Sequence, residues 1–330
     1  LISFVLVDFD KPEQVELAIR LFRWFISYLF LISISAAIMG TLNSHNEFLI
    51  PALTPMLFSV AVISSILLLH TYLGVFSMVV GVLAGGILQV LFQTPRFYKL
   101  GYNFTPNIRF SNPDFKKIVK NWLPVVATSS IFTINQQVAV RFATGLDTGS
   151  ASALQYALVF FQLPFGIFSA SITTVLFPRM SKQAGKDDTE GLQESIQYGI
   201  RFLLMTLIPS AFVLSILGNE IISVALFRGQ FDLQANLLTG KVLTAYAIGL
   251  FSVGSFNFLQ RFFYSIHNYK LPFFFAISVA VVDIAFSLWL KETYLRVVGL
   301  ALANTIAFTI GFIVSISVAR KKLGGIRVKP

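Results

Sequence analysis

The chain has 330 residues, of which 55% are apolar and only 12% charged, with no cysteine and with 25 Lys and Arg against 15 Asp and Glu. A soluble globular chain carries about 25% charged residues; with so few, and a mean hydropathy of +0.76, too little polar side chain remains to coat the surface, so lipid must be the solvent for much of it. The same figures exclude a disordered chain, and the lack of cysteine excludes a disulfide scaffold or a thiolate metal centre.

A helix needs about 20 largely apolar residues to cross about 30 Å of hydrocarbon. Nine such runs follow in chain order: Phe22 to Gly40, Ala52 to His70, Tyr72 to Phe92, Trp122 to Ala143, Ala151 to Phe177, Ile196 to Leu217, Leu237 to Gln260, Leu271 to Leu290 and Val297 to Ala319. They are too long for strands, and the alternation of a membrane barrel is missing. The expected fold class is therefore an all-α polytopic membrane protein with about nine transmembrane helices.

The polar stretch Thr94 to Asn121 holds Pro95, Gly101, Pro106 and Pro113 and ends in an amphipathic Phe115-Lys-Lys-Ile-Val-Lys120 segment expected to lie at the interface. It divides the chain into 1–93, the end of one lobe with three spans; 94–121, a linker; 122–319, a second lobe with six spans; and 320–330, a basic tail. Numbering the loops alternately puts sixteen Lys and Arg on one side and seven on the other, with Arg201 and Lys241 inside spans. Because Lys and Arg collect on the cytoplasmic side, the linker and tail are inside and the first span enters from outside. The surplus of positive charge is thus topological, and nucleic acid is excluded as a partner.

Polar groups at membrane depth are costly, so each is a functional candidate. In the fourth span Ser129, Thr133, Gln136 and Gln137 fall within an arc of about 100°, with Arg141 nearer the outer end. In the fifth, Gln155 and Gln162 share a face. Two readings stay open: a hydrated cavity for a polar headgroup with Arg141 as anion partner, or amides that join helices while Arg141 reaches the interface. Asp283, mid-span between Val282 and Ile284, is either a proton or cation coupling site or an interhelical hydrogen-bond acceptor, with Asn304 as a candidate donor. Pro164, in Gln162-Leu-Pro-Phe-Gly166, is a hinge candidate.

No phosphate-binding glycine loop or His-Glu-x-x-His motif is present, and His45, His70 and His267 stand apart near span ends. No enzyme, cofactor or metal site is expected.

Three stretches, Gln155-Tyr-Ala157, Phe161-Gln-Leu-Pro-Phe-Gly-Ile-Phe168 and Thr174-Val-Leu-Phe-Pro-Arg-Met-Ser181, closely resemble the MurJ/MviN family of lipid II flippases, in the multidrug/oligosaccharidyl-lipid/polysaccharide exporter superfamily. Gly40-Thr-Leu-Asn43, Ile50-Pro-Ala-Leu-Thr-Pro55, Leu226-Phe-Arg-Gly229 and Gly299-Leu-Ala-Leu-Ala303 extend the match along the chain. The resemblance implies a two-lobed fold of which this chain, opening on Leu1, is expected to be helices four to twelve of fourteen. It implies alternating access in the bacterial inner membrane, with a lipid-linked cell-wall precursor and membrane lipid as partners and the peptidoglycan synthesis machinery as a further one. Where the family reads Tyr-Ala-Asp/Asn-Arg, this chain reads Tyr156-Ala-Leu-Val159, so a cavity cation is missing. That departure keeps open a flippase for another polyprenyl-linked glycan, a cation-coupled drug exporter, or a non-transporting homologue.

Overall fold

The structure is a computed structural model that describes residues 12–45, 47–103 and 113–324. Within residues 113–132, the side chains of 114, 117, 118, 120–125, 127–129 and 132 lie outside that description. The described elements are α1 (Pro12–Ser44), α2 (Leu49–Leu73), α3 (Phe76–Lys99), α4 (Pro113–Thr144), α5 (Ser150–Pro164), α6 (Ser171–Ala184), α7 (Thr189–Ile216), α8 (Gly218–Leu226), α9 (Leu233–Ile248), α10 (Leu250–Ser265), α11 (Lys270–Leu290) and α12 (Arg296–Lys322). They form two units, α1–α3 and α4–α12.

In the first unit α3 packs along both α1 and α2. The burial pattern is the reverse of a water-soluble helix: α2 buries Pro51, Thr54 and Ser65 while Leu67 and Leu68 are more than 70% exposed. Lipid is as apolar as leucine, so helices gain nothing by hiding leucine and associate through small and hydrogen-bonding residues. The Ser65 hydroxyl accordingly donates to the Ser77 carbonyl at 2.7 Å, and the Gln93 amide donates to Ser35 Oγ at 2.7 Å. At one end of the unit Glu47 pairs with Arg96, which puts the α1–α2 loop and the end of α3 on the same side, as the alternating loops require.

The Arg96 hydrogen bond holds the Glu47 carboxyl below the usual carboxylate range. A depressed folded-state value contributes stability at pH above the ordinary value and loses it as pH falls through the folded one. Glu47→Gln is therefore expected to lower the unfolding temperature near neutrality, and the gap from wild type should close as pH is taken below about 4. Melting curves in detergent across that range check it; a gap that persists in acid would mean that the pair is not its cause.

In the second unit α10 is the axis, with Phe256, Phe258, Phe262 and Phe263 fully buried. The Phe258 ring fills the space left by Gly199 on α7, where a Cβ would come within 2.3 Å of it. Two further ties report sidedness: Asp147 before α5 pairs with Arg296 at the start of α12, and Gln193 near the start of α7 donates to the Leu323 carbonyl at 2.6 Å.

Several expected boundaries change. Among the described residues, seven helices, counting α5–α6 as one, are each long and apolar enough to cross a membrane, and α9 with α10 makes a bent eighth. The expected fourth span, α4, falls short of that apolarity because Ser, Thr, Asn and Gln crowd its middle. Residues 115–120 form the first turns of α4, continuous with the helix that follows. The expected single helix Ala151 to Phe177 is interrupted by a π-helical turn, Phe165–Ala170. The run Leu237 to Gln260 bends by 48° between Ile248 and Leu250, where the Thr305 hydroxyl donates to the Ala245 carbonyl at 2.7 Å. A Cβ on Gly249 would meet that hydroxyl oxygen at 2.6 Å, so glycine is needed for α12 to approach the bend. The stretch between the expected spans ending at Leu217 and starting at Leu237 includes the short helix α8.

Candidate functional site

The most organised polar group in the second unit lies between α4, α11 and α12. Asp283 is 3% exposed, and its Oδ2 accepts from Asn135 Nδ2 of α4 at 2.5 Å and from Asn304 Nδ2 of α12 at 3.0 Å. Ser287 Oγ, one turn along α11, donates to Oδ1 at 3.3 Å. The Asn304 bond is the interhelical one that the sequence suggests. Asn135 carries no signal in the sequence: it sits opposite the Thr133, Gln136 and Gln137 stripe on α4, and its partner is 148 residues away.

No Lys or Arg pairs with Asp283 among the described residues. A carboxylate held only by neutral donors in an apolar interior is costly to ionise, and a proton or a cation removes that cost. Asn135 Oδ1 is also buried without a partner, so one further acceptor stands beside the carboxylate. The cluster can therefore join three helices and also hold a small positive charge.

The amide stripes have the opposite character. Thr133, Gln136 and Gln137 on α4 are exposed, and so are Gln155 and Gln162 on α5; Val159, between the last two on the same face, is 58% exposed. The side chain of Ser129 lies outside the described residues. Amides that joined helices inside this unit would be buried, as Asn135 is, so Gln136, Gln137, Gln155 and Gln162 are not consumed in its packing. Helices α4 and α5, which carry the two stripes, are neighbours. Arg141 is half-buried near the end of α4 and makes no ion pair among the described residues.

Pro164 closes α5 where the π-helical turn begins. A π turn leaves one residue out of the i→i−4 ladder and often marks a functional kink. Here Ser169 anchors it, donating to the Gly254 carbonyl of α10 at 3.3 Å, while a Cβ on Gly166 would meet nothing within 4 Å. The hinge candidate is thus tied at one end and open at the other.

Membrane-length helices in two units, with one span broken at a glycine, define a polytopic all-α membrane protein. A solved structure of a multidrug resistance transporter of the MATE family, inward-facing, has the same fold, with a TM-score of 0.79 over 95% of this chain and 73% of that one at 16% identity. The chain belongs to the MurJ family: the family model described as lipid II flippase MurJ matches residues 1–329. Probable lipid II flippases MurJ of Borreliella burgdorferi and Rickettsia prowazekii are 34% and 29% identical over 95% and 96% of the chain. A structure of lipid II flippase MurJ in an inward closed conformation superposes with a TM-score of 0.82 at 28% identity, over 96% of this chain and 66% of that one. The chain spans 64% and 62% of the length of the two relatives. It is a multi-pass protein of the bacterial inner membrane.

Proposed function

We propose that the chain is the central part of a flippase that carries lipid II, the lipid-linked peptidoglycan precursor, across the inner membrane by alternating access, and that it acts as a transporter rather than an enzyme. The observation that carries the reading is the family match over residues 1–329, and the exposed amides of α4 and α5 agree with it. In this reading residues 94–121 link the two lobes. Gln136, Gln137, Gln155 and Gln162, with Ser129, Thr133 and Arg141, line the path of the sugar-peptide headgroup, because neutral amides and hydroxyls can exchange hydrogen bonds with a sugar without trapping it as a fixed charge pair would. Pro164 and the π turn let α5 and α6 bend as the path opens. Asp283 supplies the coupling charge, and the peptidoglycan synthesis machinery receives the product.

The full-length protein should restore growth to cells depleted of their own lipid II flippase. The double substitution Gln136→Ala/Gln137→Ala should cut that rescue sharply while leaving the amount of membrane-inserted protein unchanged, since exposed positions contribute within about 0.5 kcal/mol to stability. Growth at the wild-type level with the double variant would remove the stripe from the path. Failure of the unmodified protein to rescue would count against lipid II as the substrate.

A further inference from the structure

The hairpin between α6 and α7 carries a second feature, separate from the amide stripes and from Asp283. Val175, Pro178, Arg179 and Lys182 recur at i, i+3, i+4 and i+7, which sets them on one face of α6. With Lys186 and Gln183 they line a cavity of about 430 Å³. The loop falls on the inner side by the charge count. A sidedness signal alone requires only that lysines and arginines stand in water near the headgroups; here three of them converge on a concavity that Val175 and Pro178 also line, and Val175 within it is 69% exposed.

The acidic and amide groups nearby are largely committed elsewhere. Asp188, which also lines the cavity, caps α7, its Oδ1 accepting from the Gly191 N–H at 2.9 Å. Gln183 Oε1 accepts from the Ser195 hydroxyl at 2.8 Å, so the amide nitrogen remains as a donor. Glu194 approaches Arg179 only to 4.0 Å, with both side chains more than half exposed, a pair that salt and solvent weaken. Three cations, an amide donor and an apolar wall suit an amphiphile with a phosphate at its polar end. Arginine offers a planar fork to phosphate oxygens and lysine a point charge.

We propose that Arg179, Lys182 and Lys186 form a binding site for the phosphate ester of a lipid headgroup in the inner leaflet, with Val175 and Pro178 against the start of its chain. The same chemistry is offered by a prenyl pyrophosphate and by an anionic phospholipid. The test is equilibrium binding to the purified full-length protein in phosphatidylcholine nanodiscs, with a fluorescent prenyl pyrophosphate and fluorescent phosphatidylglycerol as separate probes. R179Q/K182Q/K186Q is expected to weaken at least one probe on the order of a hundredfold, from the attraction of each basic residue to lipid phosphate. The control R320Q/K321Q/K322Q removes the same charge at the end of α12, away from the cavity lining, and should change binding by less than about twofold, under half of one such residue's contribution.

A loss confined to the prenyl probe identifies a polyprenyl-linked ligand, and a loss confined to phosphatidylglycerol identifies a structural phospholipid; either supports the site. Equal losses in the pocket and control variants would reduce it to general surface charge and overturn it, as would no loss in either. Should the triple variant not purify, R179Q and K182Q singly are expected to weaken binding about fivefold each, and unchanged binding in both would overturn the site equally. No transport step enters these measurements, so their failure leaves the flippase reading standing, and failure of growth rescue leaves the pocket standing.

Discussion

Asp283→Asn is expected to yield a folded, membrane-inserted protein that no longer rescues cells depleted of lipid II flippase. The substitution keeps the shape and can keep all three hydrogen bonds: the new carboxamide oxygen can accept from Asn135 and Asn304 where Oδ2 does now, and its NH2 can donate to Ser287 Oγ, which now donates to Oδ1. Stability should change by less than about 1 kcal/mol, since interhelical hydrogen bonds in membranes are each worth about that or less. The one property lost is the ability to bear a negative charge and so to take up a proton or cation. Asp283→Leu is the contrasting case: it strips the acceptor from three donors at once and should destabilise by about 2–4 kcal/mol. Thermal unfolding in detergent and growth rescue, measured side by side, separate the two roles. If Asp283→Asn rescues like wild type while Asp283→Leu unfolds, the cluster is a helix joint and the coupling charge lies elsewhere.

Gly299→Val is expected to be among the most damaging single changes in the chain, by about 2–3 kcal/mol. A Cβ at Gly299 would lie 2.8 Å from the Leu290 carbonyl oxygen, 3.0 Å from its carbonyl carbon and 2.9 Å from its Cβ. A clash with the end of a flexible side chain is relieved by a rotamer change. Here the obstacle is mainly backbone, so α11 and α12 must separate, and in lipid their close approach is the source of their attraction. Gly40 is the matched control: it too lies in a stretch shared with the flippase family, but a Cβ there would meet nothing within 4 Å. Gly40→Ala should be neutral or slightly stabilising, since alanine favours a helix over glycine by up to about 1 kcal/mol. Comparable melting temperatures for the two variants would show that the α11–α12 contact does not govern stability.

The contrast between these glycines shows how far the amino-acid order could be read. Both stand in recognisable stretches, yet nothing local tells that one faces a carbonyl and the other open space. The same holds at the bend between α9 and α10, where the apolar run continues through Gly249 without a break and only the hydroxyl of Thr305, contributed from α12, marks the place. The π turn after Pro164 was half legible: proline and Gly166 announced a kink, but its anchor on Gly254 is 85 residues away. The basic face of α6 is written in the spacing of Val175, Pro178, Arg179 and Lys182, but a count of charges per side discards that spacing.

What the sequence determined by itself is the membrane class, the approximate spans and the family, because lipid tests each segment for its own apolarity. What only the tertiary structure decided is which polar groups are joined and which are left exposed: Asn135 is buried against Asp283 while Gln136, the next residue, is not. The physical reason is that a buried polar group in a membrane must find its partner on another helix, and that helix is set by packing between segments far apart in the chain.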